Sequence, residues 1–208
     1  MMQLSSLKLD DWKSFGTGPE SANLVPFAPV TVLIGPNASG KSNVLDALRF
    51  LQGAAFDYSL GEVLVGRWEG QRQIWPGIRG GIVEAARSGA GSFALTTEWV
   101  AFPYAQDPHS YLKHVLRVDT QGDGAVEEEG LFAADGNYLF HTHAPALGNS
   151  VGRTQNGGLR VAIPALGEGN YDVDTLSASR SLLGQLLPQG RADKRRRALR
   201  SHGQLHAS

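Results

Sequence analysis

Residues 35–42 read Gly-Pro-Asn-Ala-Ser-Gly-Lys-Ser and follow directly on the apolar run Val30-Thr31-Val32-Leu33-Ile34. The pattern G-x-x-x-x-G-K-[ST] constrains its surroundings, because it cradles phosphate only where a buried strand hands over to a helix. Residues 30–34 are expected to be that strand. Asn43-Val-Leu-Asp-Ala-Leu-Arg-Phe-Leu-Gln52 supplies the helix, with Val44, Leu45, Leu48 and Leu51 along one apolar stripe and Gly53 as a stop. The plain alternative is a glycine-rich turn before an ordinary helix. The flanking apolar runs argue against it.

Each residue type has a chemical reason. Gly35 and Gly40 let the backbone fold tightly around a polyphosphate, where a side chain would crowd it. The amide N–H groups of Ala38 to Ser42 can then turn inward, and the positive end of the helix adds to their attraction for anions. Lys41 is placed to reach the β- and γ-phosphates, and the Ser42 hydroxyl to ligate Mg²⁺. The expected binding set for ATP is Gly35, Pro36, Asn37, Ala38, Ser39, Gly40, Lys41, Ser42 and Asn43, with Ser42 as the metal ligand.

The segment Gly35-Pro36-Asn37-Ala38-Ser39-Gly40-Lys41-Ser42-Asn43, followed by Val44-Leu45-Asp46-Ala47-Leu48, resembles the SMC/RecF/OLD group of AAA-type, ABC-fold ATPases. Asn37, and Asn rather than Thr after Ser42, match that group and not the ABC transporters. Leu4 to Phe15, ending in Lys13-Ser14-Phe15, resembles its first strand. The likeness is specific over residues 1–53 and vague from there to about 190. It implies a Walker A loop, ATP and Mg²⁺ as cofactors, head-to-head homodimers, and DNA-repair or phage-defence ATPases that are often fused to a nuclease.

The chain has 208 residues, 41% of them hydrophobic, enough for one domain or for one large domain with a lobe. A net charge of −1 shows no global pull toward nucleic acid. The lack of cysteine excludes disulfides, thiol nucleophiles and thiolate metal sites. No apolar stretch reaches membrane-spanning length and the N-terminus lacks a secretory pattern, so a cytoplasmic location is expected.

Along the chain, residues 4–15 and 30–34 read as strands. Ser59 to Leu64 reads as a short helix and Arg67-Trp68-Glu69-Gly70 as a surface loop. Strand patterns follow at Ile78–Glu84, Ser92–Ala101, Tyr111–Asp119, Ala125–Phe132, Asn137–His143 and Leu159–Ile163, with turns at Gln121–Gly124 and Asp135-Gly136. This is an antiparallel meander. In the resembled family such strands form a β-lobe over the base and ribose. Ser177 to Leu187 is apolar at helical spacing.

Two parts of a working site find no candidate. A run of apolar residues ending in Asp, to hold Mg²⁺ from the far side, is missing. Val115-Leu116-Arg117-Val118-Asp119 comes nearest, but Arg117 interrupts it and it lies inside the meander. The signature segment of the resembled family is absent too. Ser181-Leu182-Leu183-Gly184-Gln185 echoes it faintly and reads better as an ordinary amphipathic helix.

Other constellations read more plainly. His141-x-His143, with His109 and His114 earlier, suggests surface histidines rather than a metal site. Arg191, Lys194, Arg195, Arg196, Arg197 and Arg200 read as a solvated basic face, with a DNA backbone as the alternative partner. Trp68, Trp75 and Trp99 read as packing residues rather than adenine platforms.

The expectation is an α/β fold: a P-loop NTPase strand–loop–helix core with an antiparallel β-lobe, truncated. Its parts are a nucleotide-binding core (1–53), the β-lobe (54–165), the start of a helical region (166–190) and a basic, flexible tail (191–208). ATP binding is expected, with hydrolysis implied for full-length relatives. A non-hydrolysing module gating a partner protein, and an inactive truncated product, stay open.

Overall fold

The computed structural model describes residues 2–19, 22–56, 58–101, 111–144, 154, 157–164 and 171–186. Ten strands and three helices run along them: β1 (Met2–Asp10), β2 (Leu24–Pro26), α1 (Lys41–Ala55), α2 (Leu60–Val65), β3 (Arg67–Glu69), β4 (Arg72–Trp75), β5 (Ser92–Ala101), β6 (Tyr111–Asp119), β7 (Ala125–Ala133), β8 (Tyr138–His141), β9 (Gly158–Pro164), β10 (Tyr171–Ser177) and α3 (Leu182–Leu186). The fold is mixed α/β, dominated by one antiparallel sheet of eight strands in the order β10-β9-β8-β7-β6-β5-β1-β2.

The meander forms because its strands alternate and short turns join them. On β6, His114, Leu116 and Val118 point inward; on β5, Phe93 and Leu95 do the same. These positions share a face through the register Phe93↔Val118 and Leu95↔Leu116. Gly122 (φ 81°) and Gly136 (φ 81°) turn the chain at the two predicted corners, where a left-handed backbone favours glycine.

One face of the sheet is covered by α1. Val44, Ala47, Phe50 and Ala54 are buried, while Leu48 and Leu51 pack at the margin of the core. Leu45, expected on the apolar stripe, is 58% exposed. The stripe rotates away from it because Phe50, the largest apolar side chain of the helix, must meet the sheet. Its ring centroid lies 5.8 Å from Trp12 and 5.3 Å from Phe93, and Trp12 lies 4.7 Å from Phe93 edge-on. Such aromatic pairs contribute ~0.5–1.5 kcal/mol each beyond simple burial.

Several expectations are corrected. Residues 30–34 form no strand: they are irregular, and Val30, Val32 and Ile34 are 82%, 73% and 90% exposed. The Thr31 hydroxyl bonds back to the Ala28 backbone, accepting its N–H at 2.9 Å and donating to its carbonyl at 3.2 Å, a local turn that competes with ladder pairing, and no strand of the sheet pairs with the run. The P-loop strand–loop–helix core is therefore present only as loop and helix among the described residues. Residues 78–84 are turns rather than a strand, with Gly80 at φ 75° and Gly81 at φ 56°. Arg67 to Gly70 is not a loop but the start of the β3–β4 hairpin.

Gly53 does not stop α1, which runs on to Ala55. A Cβ there would sit 2.9 Å from both Trp75 Cζ2 and Val63 Cγ1, so the glycine is where α2 and β4 approach the helix. The sheet also continues beyond residue 165, since 171–177 is strand β10 paired along β9, and α3 begins only at Leu182. The basic run 191–200, the tail 191–208 and His109 lie outside the described residues.

Trp75 is buried, its Nε1 donating to the Val63 carbonyl at 3.1 Å. Trp99 Nε1 donates to Thr97 Oγ1 at 2.9 Å, whereas Trp68 is 59% exposed on β3.

Candidate nucleotide-binding loop

The loop 35–40 is an exposed turn that closes on the first residue of α1. Ala38 (φ 64°) and Gly40 (φ 87°) both take left-handed backbone, and Gly40 is the N-cap residue of the helix. A Cβ on Gly40 would stand 2.8 Å from Phe15 Cζ, so glycine is required there twice over: for the dihedral and for the aromatic ring beneath it.

The helix starts with no side-chain cap and no acidic residue in its first turn. Its first amide N–H groups and the positive end of its dipole are thus left for something other than the protein's own carboxylates. Lys41 folds back over the loop: Nζ donates to the carbonyl oxygens of Gly35 at 2.7 Å and Pro36 at 2.6 Å, and lies 3.3 Å from Ser39 Oγ. The ammonium therefore sits at the loop's mouth on exposed partners. The Ser42 side chain faces solvent one position on.

Asn43 has a different setting. Its Nδ2 donates to Ser14 Oγ at 2.8 Å, and its Oδ1 accepts from Arg79 at 3.0 Å. Its carbonyl oxygen takes the Trp12 indole N–H at 2.8 Å. Beside it Asp46, only 4% exposed, is held by Lys13 Nζ at 2.9 Å and by Arg79 Nη2 at 2.9 Å. Asp46 is the acidic residue nearest Ser42 in sequence, and both of its cationic partners hold it as a structural anion.

The Lys13-Ser14-Phe15 segment thus braces the helix start with all three side chains. Lys13 binds Asp46, Ser14 binds Asn43, and Phe15 lies under Gly40. The turn that delivers them is strained: Asp11 (φ 50°) and Lys13 (φ 51°) are non-glycine residues in left-handed backbone. It is pinned by Lys13 N to Ala85 O at 3.0 Å and Arg87 N to Asp11 O at 2.7 Å. Arg79 was not singled out in the sequence. The only signal for it was a lone cation among Gly77, Gly80 and Gly81.

The other sequence candidates fall elsewhere. His114 is buried rather than solvated, its Nε2 2.9 Å from Glu129 Oε1. Ser181 to Gln185 opens α3, whose start is sealed by the same Glu129: Ser181 Oγ donates at 2.7 Å, Leu182 N at 2.6 Å and Leu183 N at 3.1 Å. His141 and His143 stand beside Glu128. The hydrogen bond from His141 holds the Glu128 carboxyl below its ordinary range, with further help from His143 and Arg117, against the opposing effect of burial.

Residues 30–86 match a protein family described as "AAA domain, putative AbiEii toxin, Type IV TA system". The chain is 46% identical over 56 residues to the chromosome partition protein Smc of Synechocystis sp., 26% of this chain and 4% of that protein. It is 44% identical over 52 residues to the Smc protein of Halothermothrix orenii, and 47% over 53 residues to that of Mycobacterium leprae, each match covering 25% of this chain and 4% of the relative. The aligned stretch is thus a small fraction of those relatives' length. Over this N-terminal segment the chain is thus similar to the P-loop ATPase regions of SMC and AAA proteins.

Proposed function

We propose that this protein binds ATP, with Mg²⁺, through Gly35 to Ser42. The observation that carries the reading is the start of α1: a glycine N-cap, no acidic residue in the first turn, and Lys41 folded over the same loop. An anion entering the loop would meet the helix-start amides and would exchange the neutral carbonyl partners of Lys41 for one of opposite charge. Mg²⁺ would be held by the nucleotide and the Ser42 hydroxyl, keeping most of its waters. When bound, it would neutralise charge between the β- and γ-phosphates. Asn43 supports the loop through Ser14 and Arg79 rather than facing the phosphates.

Hydrolysis asks for more than binding. Acceleration needs charge stabilisation and an oriented water. Lys13 and Arg79 tie Asp46 down, so it is poorly placed to supply either. We therefore expect this chain by itself to bind nucleotide and to turn it over negligibly. The exposed Val30, Val32 and Ile34 beside the loop favour a module completed by a further segment or partner. A head-to-head dimer, DNA association and a cytoplasmic role in DNA repair or phage defence of the RecF/OLD type belong to this proposal and rest on resemblance. Among the described residues no helix is long and apolar enough to cross a membrane.

Calorimetric titration with ATP and Mg²⁺ tests the binding, and phosphate release with Lys41→Ala as control tests the turnover. Equal affinity in the parent and Lys41→Ala would remove the loop assignment. Lys41-dependent turnover on the order of 1 s⁻¹, an ordinary enzyme rate, would overturn the binding-only reading.

A further inference from the structure

Far along the sheet from the loop, Glu128 of β7, His141 of β8 and His143 just after it bring three ligand atoms within 4.8 Å of one another. We propose that these three side chains form a binding site for a first-row divalent metal ion of the zinc class, which clips the end of β8 to β7.

The donor set selects the ion class. Two imidazoles and one carboxylate suit Zn²⁺ and its neighbours, whereas Mg²⁺ and Ca²⁺ ask for oxygen alone. Three protein ligands leave a position for water, as in open tetrahedral sites. His141 Nε2 already stands 3.4 Å from Glu128 Oε1, a spacing at which a metal can take the place of the shared proton.

The donors are oriented by their surroundings. The His141 ring lies over Gly130, where a Cβ would come within 2.7 Å of its Cδ2, and meets Phe132 edge-on at a centroid distance of 5.0 Å. Only a glycine at position 130 leaves that room. Nδ1 of His143 is 3.0 Å from Thr142 Oγ1, and Thr142 Oγ1 is itself fixed by accepting the Glu129 N–H at 3.0 Å. An oxygen partner on one ring nitrogen is what ligating histidines ordinarily have. Arg117 Nε lies 3.7 Å from Glu128 Oε2 and occupies that side of the carboxylate, which leaves Oε1 as a single donor toward the histidines. Arg117 is a cation beside the site and weakens it, but its side chain is 38% exposed and so partly screened.

The location gives the clip a purpose. β8 meets β9 through one paired position, His141↔Ala162, and its pairing with β7 shifts register between Leu131 and Phe132. A metal bridging Glu128 to His141 and His143 would cross-link β7 to the end of β8, beside the short, register-shifted β7–β8 ladder, and so hold in place a strand that β9 grips at one position. Because the ligands lie thirteen and fifteen residues apart in sequence, the site exists only in the folded chain, and binding must stabilise it.

The test uses the full 208-residue chain without an affinity tag. Zn²⁺ is titrated calorimetrically with a thermal melt alongside, and Co²⁺ is titrated as a spectroscopic probe. The proposal expects one tight Zn²⁺ per chain, a raised melting temperature and visible Co²⁺ bands of low-coordinate type. His143→Ala, at an exposed position, and the conservative Glu128→Gln should each weaken Zn²⁺ at least tenfold and abolish the melting shift. Unchanged affinity in both variants, or no Zn²⁺-dependent shift in the parent protein, would overturn it.

Discussion

The Lys41 ammonium donates to the Gly35 carbonyl oxygen at 2.7 Å, closing the loop with the residue that should open it to a ligand. The contact lies in an exposed turn, so it contributes little to folding. Lys41→Ala should leave the ligand-free melting temperature within what about 0.5 kcal/mol would cause. It should also lose a charge-assisted phosphate contact of about 1.5–3 kcal/mol, tenfold to a hundredfold in ATP affinity. ATP with Mg²⁺ should therefore raise the melting temperature of the parent and not of the variant, while Mg²⁺ alone shifts neither. Thermal melts in the four combinations check this.

Glu129 holds the largest set of buried polar contacts described, joining His114, Ser181 and the amides of Leu182 and Leu183. Removing one partner from such a cluster strands the others without water. Glu129→Ala should cost about 3–5 kcal/mol. A urea midpoint close to that of the parent protein would show that His114 and α3 do not depend on it.

Gly53→Ala sets two effects against each other. Helix propensity favours alanine by about 1 kcal/mol. The new Cβ would stand 2.9 Å from Trp75 and Val63, and overpacking of that kind costs about 1–3 kcal/mol. A net loss of about 1 kcal/mol is expected from their difference. Stabilisation in a denaturant titration would mean that β4 yields to the methyl group.

Ser59 and Glu62 form a reciprocal capping box at the start of α2. The Ser59 backbone N–H donates to Glu62 Oε2 at 2.9 Å, and this bond is the main reason the carboxyl is held below its ordinary range. A lowered native value means that the stabilisation is full above the ordinary glutamate pKa of about 4.3 and is lost as pH falls through the lower native one. Parent and Glu62→Gln melting temperatures should differ at neutral pH and converge below about pH 4. A gap that persists unchanged in acid would show that charge plays no part in the cap.

How much of this was written locally is clear from particular segments. Tyr111–Asp119 is a strand over the residues its alternation marks, as is Ser92–Ala101, and Gly122 and Gly136 turn the chain where they were expected to. The helix after Lys41 and the short helix at Leu60 were also legible. All of these depend on side-chain period and on backbone freedom at single residues, which neighbours in sequence determine.

What tertiary structure decided is who meets whom. Val30 to Ile34 has the composition of a buried strand, yet Val30, Val32 and Ile34 are left exposed and no strand of the sheet pairs with the run, while Thr31 bonds back to Ala28. Gly53 has the look of a helix stop and is instead a point of close approach to Trp75. Lys13, Ser14 and Phe15 brace a loop more than twenty residues away, Arg79 reaches Asp46 from a glycine-rich turn, and Glu128 finds His141 across a hairpin. Strand order and register fix these partnerships. A one-residue shift would move every side chain of a strand to the opposite face, so composition and local spacing cannot specify them.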